Sequence, residues 1–220
     1  MTTGTYRLVI GDKNWSSWSL RPWLAMSRAK IPFEEINVRL RRPESKAQIL
    51  RHSPSGFVPA LIDGDLTIWD SLAIIEYLAE CHPEARLWPA DRVARAMARS
   101  AAAEIHSGFN ALRQSCSMQL LERAPLPSLP PEAESDVRRI LSLWRELRDR
   151  FGAGGPFLFG AFSAADAMYA PVASRFRTYV PQLALYGDGG TGQAYIDAIF
   201  AMPEMAAWTK GAQTETAGAG

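Results

Sequence analysis

Cysteine is scarce. Only Cys81 and Cys116 occur in 220 residues, far apart. Their separation fits neither a disulfide framework nor a thiol–metal site, so both read as free thiols of a reducing cytoplasm. His52, His82 and His106 stand alone, without metal-ligand spacing, and no metal is expected. No apolar run approaches the roughly 18 residues of a membrane span. The opening Met1–Thr5 lacks the charged start, apolar middle and cleavage site of a secretory signal. An excess of charge of one sign is missing too: 24 Lys and Arg stand against 23 Asp and Glu, mixed along the chain. That argues against a general electrostatic affinity for nucleic acid or an anionic membrane. It leaves room for a small anionic ligand, which needs only local positive potential. Gly187–Gly192 lacks the Lys-Ser/Thr ending and the preceding strand of a phosphate loop, and reads as a flexible connection.

What is present is an ordinary globular composition, 47% apolar and 21% charged, in a chain long enough for a substantial core. Tyr6–Ile10 is a β-rich run closed by the turn cluster Gly11–Asn14. A helix follows, with Ser19 as the expected N-cap and Pro22 at its third position, running to about Ala29. Phe33–Val38 reads as a second strand and Ser45–Leu50 as a short helix. Pro59–Ile62 and Leu66–Trp69 flank Asp63-Gly64-Asp65, the pattern of a hairpin. Ser71–Glu80 places Leu72, Ile75, Leu78 and Ala79 on one helical face. The order is βαβ followed by ββα, an α/β domain of residues 1–82.

Beyond Trp88-Pro89 the pattern is helical. Arg92–Arg123 is rich in helix formers, and Pro125–Pro131 is a rigid break. Val137, Ile140, Leu141, Trp144, Leu147 and Phe151 mark an amphipathic helix over Glu132–Phe151. Ser163-x-x-Asp166 is a capping box opening a further helix. The small, polar tail after about Lys210 is expected to fray. Residues 92–210 thus form an all-α domain.

Three segments carry the candidate chemistry: Ser16-Ser17-Trp18-Ser19-Leu20-Arg21 after the first strand, Gly56-Phe57-Val58-Pro59-Ala60-Leu61 entering the third, and Trp69-Asp70-Ser71 opening a helix. In this order and spacing, with an all-α half behind them, they resemble the glutathione transferases. The serine-type classes, zeta and its bacterial relatives, are the nearest in pattern. The resemblance implies a thioredoxin-like N-terminal domain joined to an all-α C-terminal domain, and a site for glutathione as co-substrate. It implies a cis bond at Val58-Pro59, with the Val58 backbone pairing to the cysteinyl part of the tripeptide. Asp70 and Ser71 would hold the γ-glutamyl end, where a helix N-terminus also attracts a carboxylate. Ser16 would donate a hydrogen bond to the sulfur and favour thiolate, a free thiol having a pKa of about 8.5. Ser17 is the alternative.

Trp18 departs from the family's usual smaller residue and would wall or narrow the electrophile pocket. Phe109, Arg113 and Tyr169 are further pocket candidates, each equally readable as core packing. Glu104 is a candidate for the ammonium of a neighbouring subunit's ligand. No cysteine occupies the Ser16 segment, which disfavours thiol-transferase or dehydroascorbate-reductase chemistry, and Cys116 reads as a structural thiol. The expected function is a cytoplasmic, homodimeric transferase acting on a small electrophile, with detoxification as its setting. A glutathione-dependent cis–trans isomerase of the maleylacetoacetate type, or a non-catalytic glutathione-binding protein of the same fold, are the alternatives.

Overall fold

The computed structural model describes residues 5–218. Met1–Thr5, the opening read as lacking a signal sequence, falls mostly outside them. Four strands and three helices make the first half: β1 (Tyr6–Gly11), α1 (Ser17–Ala29), β2 (Phe33–Val38), α2 (Ser45–Leu50), β3 (Ala60–Asp63), β4 (Leu66–Ile68) and α3 (Ser71–Cys81). The sheet order is β2-β1-β3-β4. β1 and β2 run parallel with Tyr6 opposite Phe33, while β3 lies antiparallel to both β1 and β4. Side chains alternate across the sheet as a period of two requires. Leu8, Ile10 and Leu61 face the core shared with α1 and α3, and Val9, Ala60 and Ile62 face Val38 and Ile49 on the other side. Gly64 turns the hairpin at φ 58°, where a side chain would be strained.

The second half is helical: α4 (Arg92–Ser107), α5 (Asn110–Ser115), α6 (Pro131–Phe151), α7 (Ala164–Tyr179), α8 (Thr191–Phe200) and α9 (Pro203–Ala217). α7 is buried along nearly its whole length and packs on α1, α4 and α8. It opens on the expected capping box, in which the Asp166 carboxylate accepts from Ser163 N at 2.8 Å and Ser163 Oγ at 2.9 Å, and also from Leu158 N at 3.0 Å.

Three expectations are corrected. α1 begins at Ser17, with Ser16 in the N-cap place, so Pro22 sits inside the helix. Ser19 does not cap, because its Oγ accepts instead from Gly11 N at 3.0 Å and ties the helix to the end of β1. The helical run from Arg92 stops at Ser107, and Phe109 takes a left-handed φ of 57°. The residues beyond α5 stay irregular because α7 captures their carbonyls: Arg175 Nε donates to Cys116 O, Thr178 Oγ1 to Gln119 O and Tyr179 OH to Ser117 O. Helix propensity is a local quantity, and these tertiary bonds override it. The tail does not fray at Lys210. α9 continues to Ala217, and Glu215 docks on the first half.

The Asp166 carboxyl is pushed up from 3.8 to about 6 by its burial. The folded chain therefore holds this proton where the unfolded chain has lost it. The group's contribution to stability is fully present below the unfolded value, and is lost as pH rises through the folded one. Two results should follow. Asp166→Ala should cost roughly 2–4 kcal/mol in urea unfolding, because Leu158 N and Ser163 N lose their acceptor. The stability difference between wild type and Asp166→Asn should shrink as pH rises from 3.8 to about 6.

Candidate active site

β1 ends in a tight turn, Asp12 O accepting from Trp15 N at 3.1 Å and Ser16 N at 2.8 Å, and that turn delivers Ser16 to the start of α1. The Ser16 hydroxyl is almost wholly buried and donates to Ser19 Oγ at 2.7 Å. Ser17 points the other way, its Oγ accepting from the buried Arg175 guanidinium at 3.2 Å. Trp18 is held on several sides. The Arg21 and Arg113 guanidiniums lie 4.1 and 4.7 Å from its ring centroid, and His106 meets it edge-on at 5.4 Å.

Trp18 walls a cleft of about 320 Å³ whose other sides are Ser55, Phe57, Val58, Pro59, Trp69, Asp70, Ser71 and His106. The Val58–Pro59 and Trp69–Asp70 peptide bonds are both cis. Val58 stands two residues before Ala60, the first paired residue of β3, at the edge of the ladder. Asp70 is the N-cap of α3, its Oδ1 accepting from Leu72 N at 3.1 Å. Ser71 Oγ is buried, lies at that helix start and has no hydrogen-bond partner among the described residues. Buried hydroxyls are ordinarily paired, so this orphan marks a place for an external acceptor. The helix N-terminus adds positive potential there.

The fold thus brings Trp18, Val58, Pro59, Asp70 and Ser71 to one cleft, with Ser16 two residues from its wall. Of the remaining candidates, Arg113 stacks behind Trp18 while donating to Gly108 O at 3.1 Å and to Ile105 O. Phe109 is buried at the α4–α5 break and Tyr169 is buried against Trp144. Glu104 is taken by a two-pronged bond from Arg139 at 2.8 and 2.9 Å. Cys116 is buried, its thiol pushed up to about 11 by burial, which removes it from thiolate chemistry at neutral pH. Among the described residues no cluster of His, Cys, Asp and Glu could hold a metal ion, and no helix is long and apolar enough to cross a membrane.

His106 is the cleft residue that sequence reasoning set aside. Its Nε2 lies 3.1 Å from Asp70 Oδ2, joining α4 to the start of α3. An isolated histidine gives no spacing signal, and only the folded chain brings it to Asp70. Behind the cleft lies a second anomaly. Arg21 is fully buried, and among the described residues its Nε and both terminal nitrogens have no hydrogen-bond partner. Burial first, then the neighbouring Arg113 and Arg175, hold its pKa well below the usual arginine value. Arg175 is likewise lowered, to about 10, mainly by burial. Three cations therefore share one region where α1 meets the helical half.

Comparison with known proteins places this arrangement. Residues 15–81 match the model of the glutathione S-transferase N-terminal domain, and residues 120–210 that of its C-terminal domain. A zeta-class glutathione S-transferase of Euphorbia esula is 36% identical over 158 residues, covering 70% of this chain and 66% of that protein. A probable maleylacetoacetate isomerase of Caenorhabditis elegans is 35% identical over 108 residues, 49% of this chain and 50% of that one. The chain spans about half to two thirds of the length of these and similar curated relatives. A glutathione transferase homologue from Burkholderia GL BGR1, solved with bound glutathione, shares the fold with a TM-score of 0.71 at 23% identity, over 96% of this chain and 99% of that one.

An orphaned buried cation is costly, and an apolar side chain of similar length removes that cost. Arg21→Met should accordingly raise unfolding stability by about 1–3 kcal/mol in urea titration. A loss of stability instead would mean that the guanidinium is better satisfied than its contacts indicate.

Proposed function

We propose that this chain, which belongs to the glutathione S-transferase family, binds reduced glutathione in the Trp18–Ser71 cleft and activates its thiol. The observation that carries this reading is the unpaired, buried Ser71 hydroxyl at the α3 N-terminus, beside Asp70 and opposite Val58-Pro59. The donor set fits the tripeptide. Ser71 would donate to the γ-glutamyl carboxylate, Asp70 would accept from the ammonium, and the Val58 backbone would pair with the cysteinyl unit in the manner of an added strand. Ser16 would turn its hydroxyl from Ser19 to the sulfur and, with the α1 N-terminus, favour thiolate over thiol. Bound glutathione would supply the nucleophilic sulfur for a small electrophile. Trp18 would line the approach, with Arg113 adding positive charge from behind its ring, and holding both reactants together lowers the entropic part of the barrier.

The same reading takes residues 1–82 as the glutathione-binding unit and 92–210 as the unit completing the electrophile pocket. It also includes a homodimer and a cytoplasmic location. The exposed Phe57, Leu66, Trp69 and Val93 are apolar material for a subunit interface.

One observation favours a second reading, glutathione-dependent isomerisation of a dicarboxylate. Arg21, Arg113 and Arg175 gather behind Trp18, and Arg21 stacks on that ring without a hydrogen-bond partner among the described residues. A cationic region of this sort suits an anionic electrophile. The probable isomerases among the relatives are named for such a substrate.

Two experiments test these readings. In the first, ultraviolet absorbance of bound thiolate is followed against pH. Wild type should show thiolate well below the free-thiol value of about 8.5, and Ser16→Ala should return it toward that value with a roughly 10²-fold fall in kcat/KM. Ser71→Ala should raise the glutathione KM with little change in kcat. Binding without turnover over a broad electrophile panel would make the chain a glutathione-binding protein instead. In the second, Arg113→Met should lower kcat/KM for a carboxylate-bearing electrophile by roughly tenfold more than for an uncharged one. Equal losses would remove the isomerase reading.

A further inference from the structure

The C-terminal helix reaches the loop that carries Ser16. Both backbone polar groups of Lys13 are satisfied by α9: Lys13 N donates to Glu215 Oε2 at 2.8 Å, and Trp208 Nε1 donates to Lys13 O at 2.9 Å. One residue earlier, Asp12 O receives the Ser16 N–H at 2.8 Å. The chain of contacts therefore runs from Glu215 through Lys13 and Asp12 to Ser16. Glu215 also accepts from Asn37 Nδ2 at 2.7 Å, and its backbone carbonyl accepts from Arg39 at 2.7 Å. Lys13 Nζ and an Arg39 nitrogen each lie 3.8 Å from its carboxylate. Asp12 fastens the same loop to the segment after β2, accepting from Arg39 at 2.9 Å and Leu40 N at 2.5 Å.

Glu215 does not serve its own helix. It lies in the last turn of α9, where the macrodipole disfavours an anion. Burial first, and Asp12 besides, push its carboxyl up from the usual value, against the opposing pull of the Lys13 N–H, Lys13 and Arg39. What offsets these costs is its set of bonds to the loop and to β2.

We propose that Glu215 is a positioning residue for Ser16, and that α9 is thereby part of the thiol-activating site. This rests on the glutathione reading above. Glu215 does not line the cleft. It acts by fixing the Lys13 backbone, and with it the place from which the Ser16 hydroxyl addresses the sulfur. A small displacement of that hydroxyl is enough to matter, since catalytic hydrogen bonds depend steeply on geometry.

The test compares wild type, Glu215→Ala, Glu215→Asp and Trp208→Phe in the full chain. The readouts are the pH at which bound glutathione becomes thiolate, kcat and KM taken separately, and the unfolding midpoint. Glu215→Ala should move thiolate formation to higher pH and lower kcat by roughly 10- to 100-fold, with glutathione KM changed by less than about threefold. Glu215→Asp should recover part of the loss. Trp208→Phe removes the other Lys13 bond and keeps most of the ring, and should shift thiolate formation in the same direction. A lowered unfolding midpoint with unaltered thiolate formation and kcat in both the Ala and Phe variants would overturn the proposal, leaving α9 a purely structural brace. Absence of glutathione binding or of any thiol shift in wild type would instead overturn the reading on which the proposal rests.

Discussion

The contact between α1 and α7 is the constraint on which the rest of this structure depends. α1 covers the sheet with one face and meets the helical half with the other. Its partner α7 is buried nearly all round, and Ala164, Ala165, Ala167, Ala170 and Ala173 keep its surface low enough for close approach. Across this seam Arg175 donates to Ser17 Oγ, Cys116 O and Pro171 O, so one guanidinium joins the start of α1, the irregular chain after α5 and α7 itself. The cleft inherits its geometry from this seam. Trp18 follows Ser17 by one residue, and its ring is set by Arg21 from its own helix and by Arg113 and His106 from the helical half.

The seam is electrostatically expensive. Arg21, Arg113 and Arg175 are drawn together out of water, and burial lowers the pKa of each. A structure selected for stability alone would place a carboxylate or an apolar side chain here. What offsets part of this cost is the Trp18 ring, on which the Arg21 and Arg113 guanidiniums stack, together with the carbonyls and hydroxyl that accept from Arg113 and Arg175. The orphaned Ser71 hydroxyl at the opposite wall has the same character. Both are unfavourable in the isolated protein, the kind of local cost that stability alone would not retain.

The elements of the first half were legible in the sequence because their signals are local. The β-rich run Tyr6–Ile10, the Asp-Gly turn and the apolar face of Ser71–Glu80 each report on neighbours a few residues away. The Ser163/Asp166 box is legible for the same reason. Errors came where distant groups decide a local conformation. Ser19 carries a cap's residue type, yet its hydroxyl is taken by Gly11 of β1. The run beyond Ser107 has helical composition, yet side chains of α7 hold its carbonyls. The tail looks too small and polar to order, yet Glu215 is anchored on Lys13 and Asn37 about two hundred positions away in sequence.

By itself, then, the sequence determined the order of the elements, their split into an α/β half and a helical half, and the residue types that glutathione would need. Each of these is written in spacing along one stretch of chain. Only the tertiary structure decided which serine faces which half, that Trp18 is pinned between two arginines, that His106 joins Asp70 at the cleft, and that the last helix closes on the Ser16 loop. Those are meetings between residues far apart in the chain. Their selection rests on burial and on hydrogen-bond partners that no local pattern encodes.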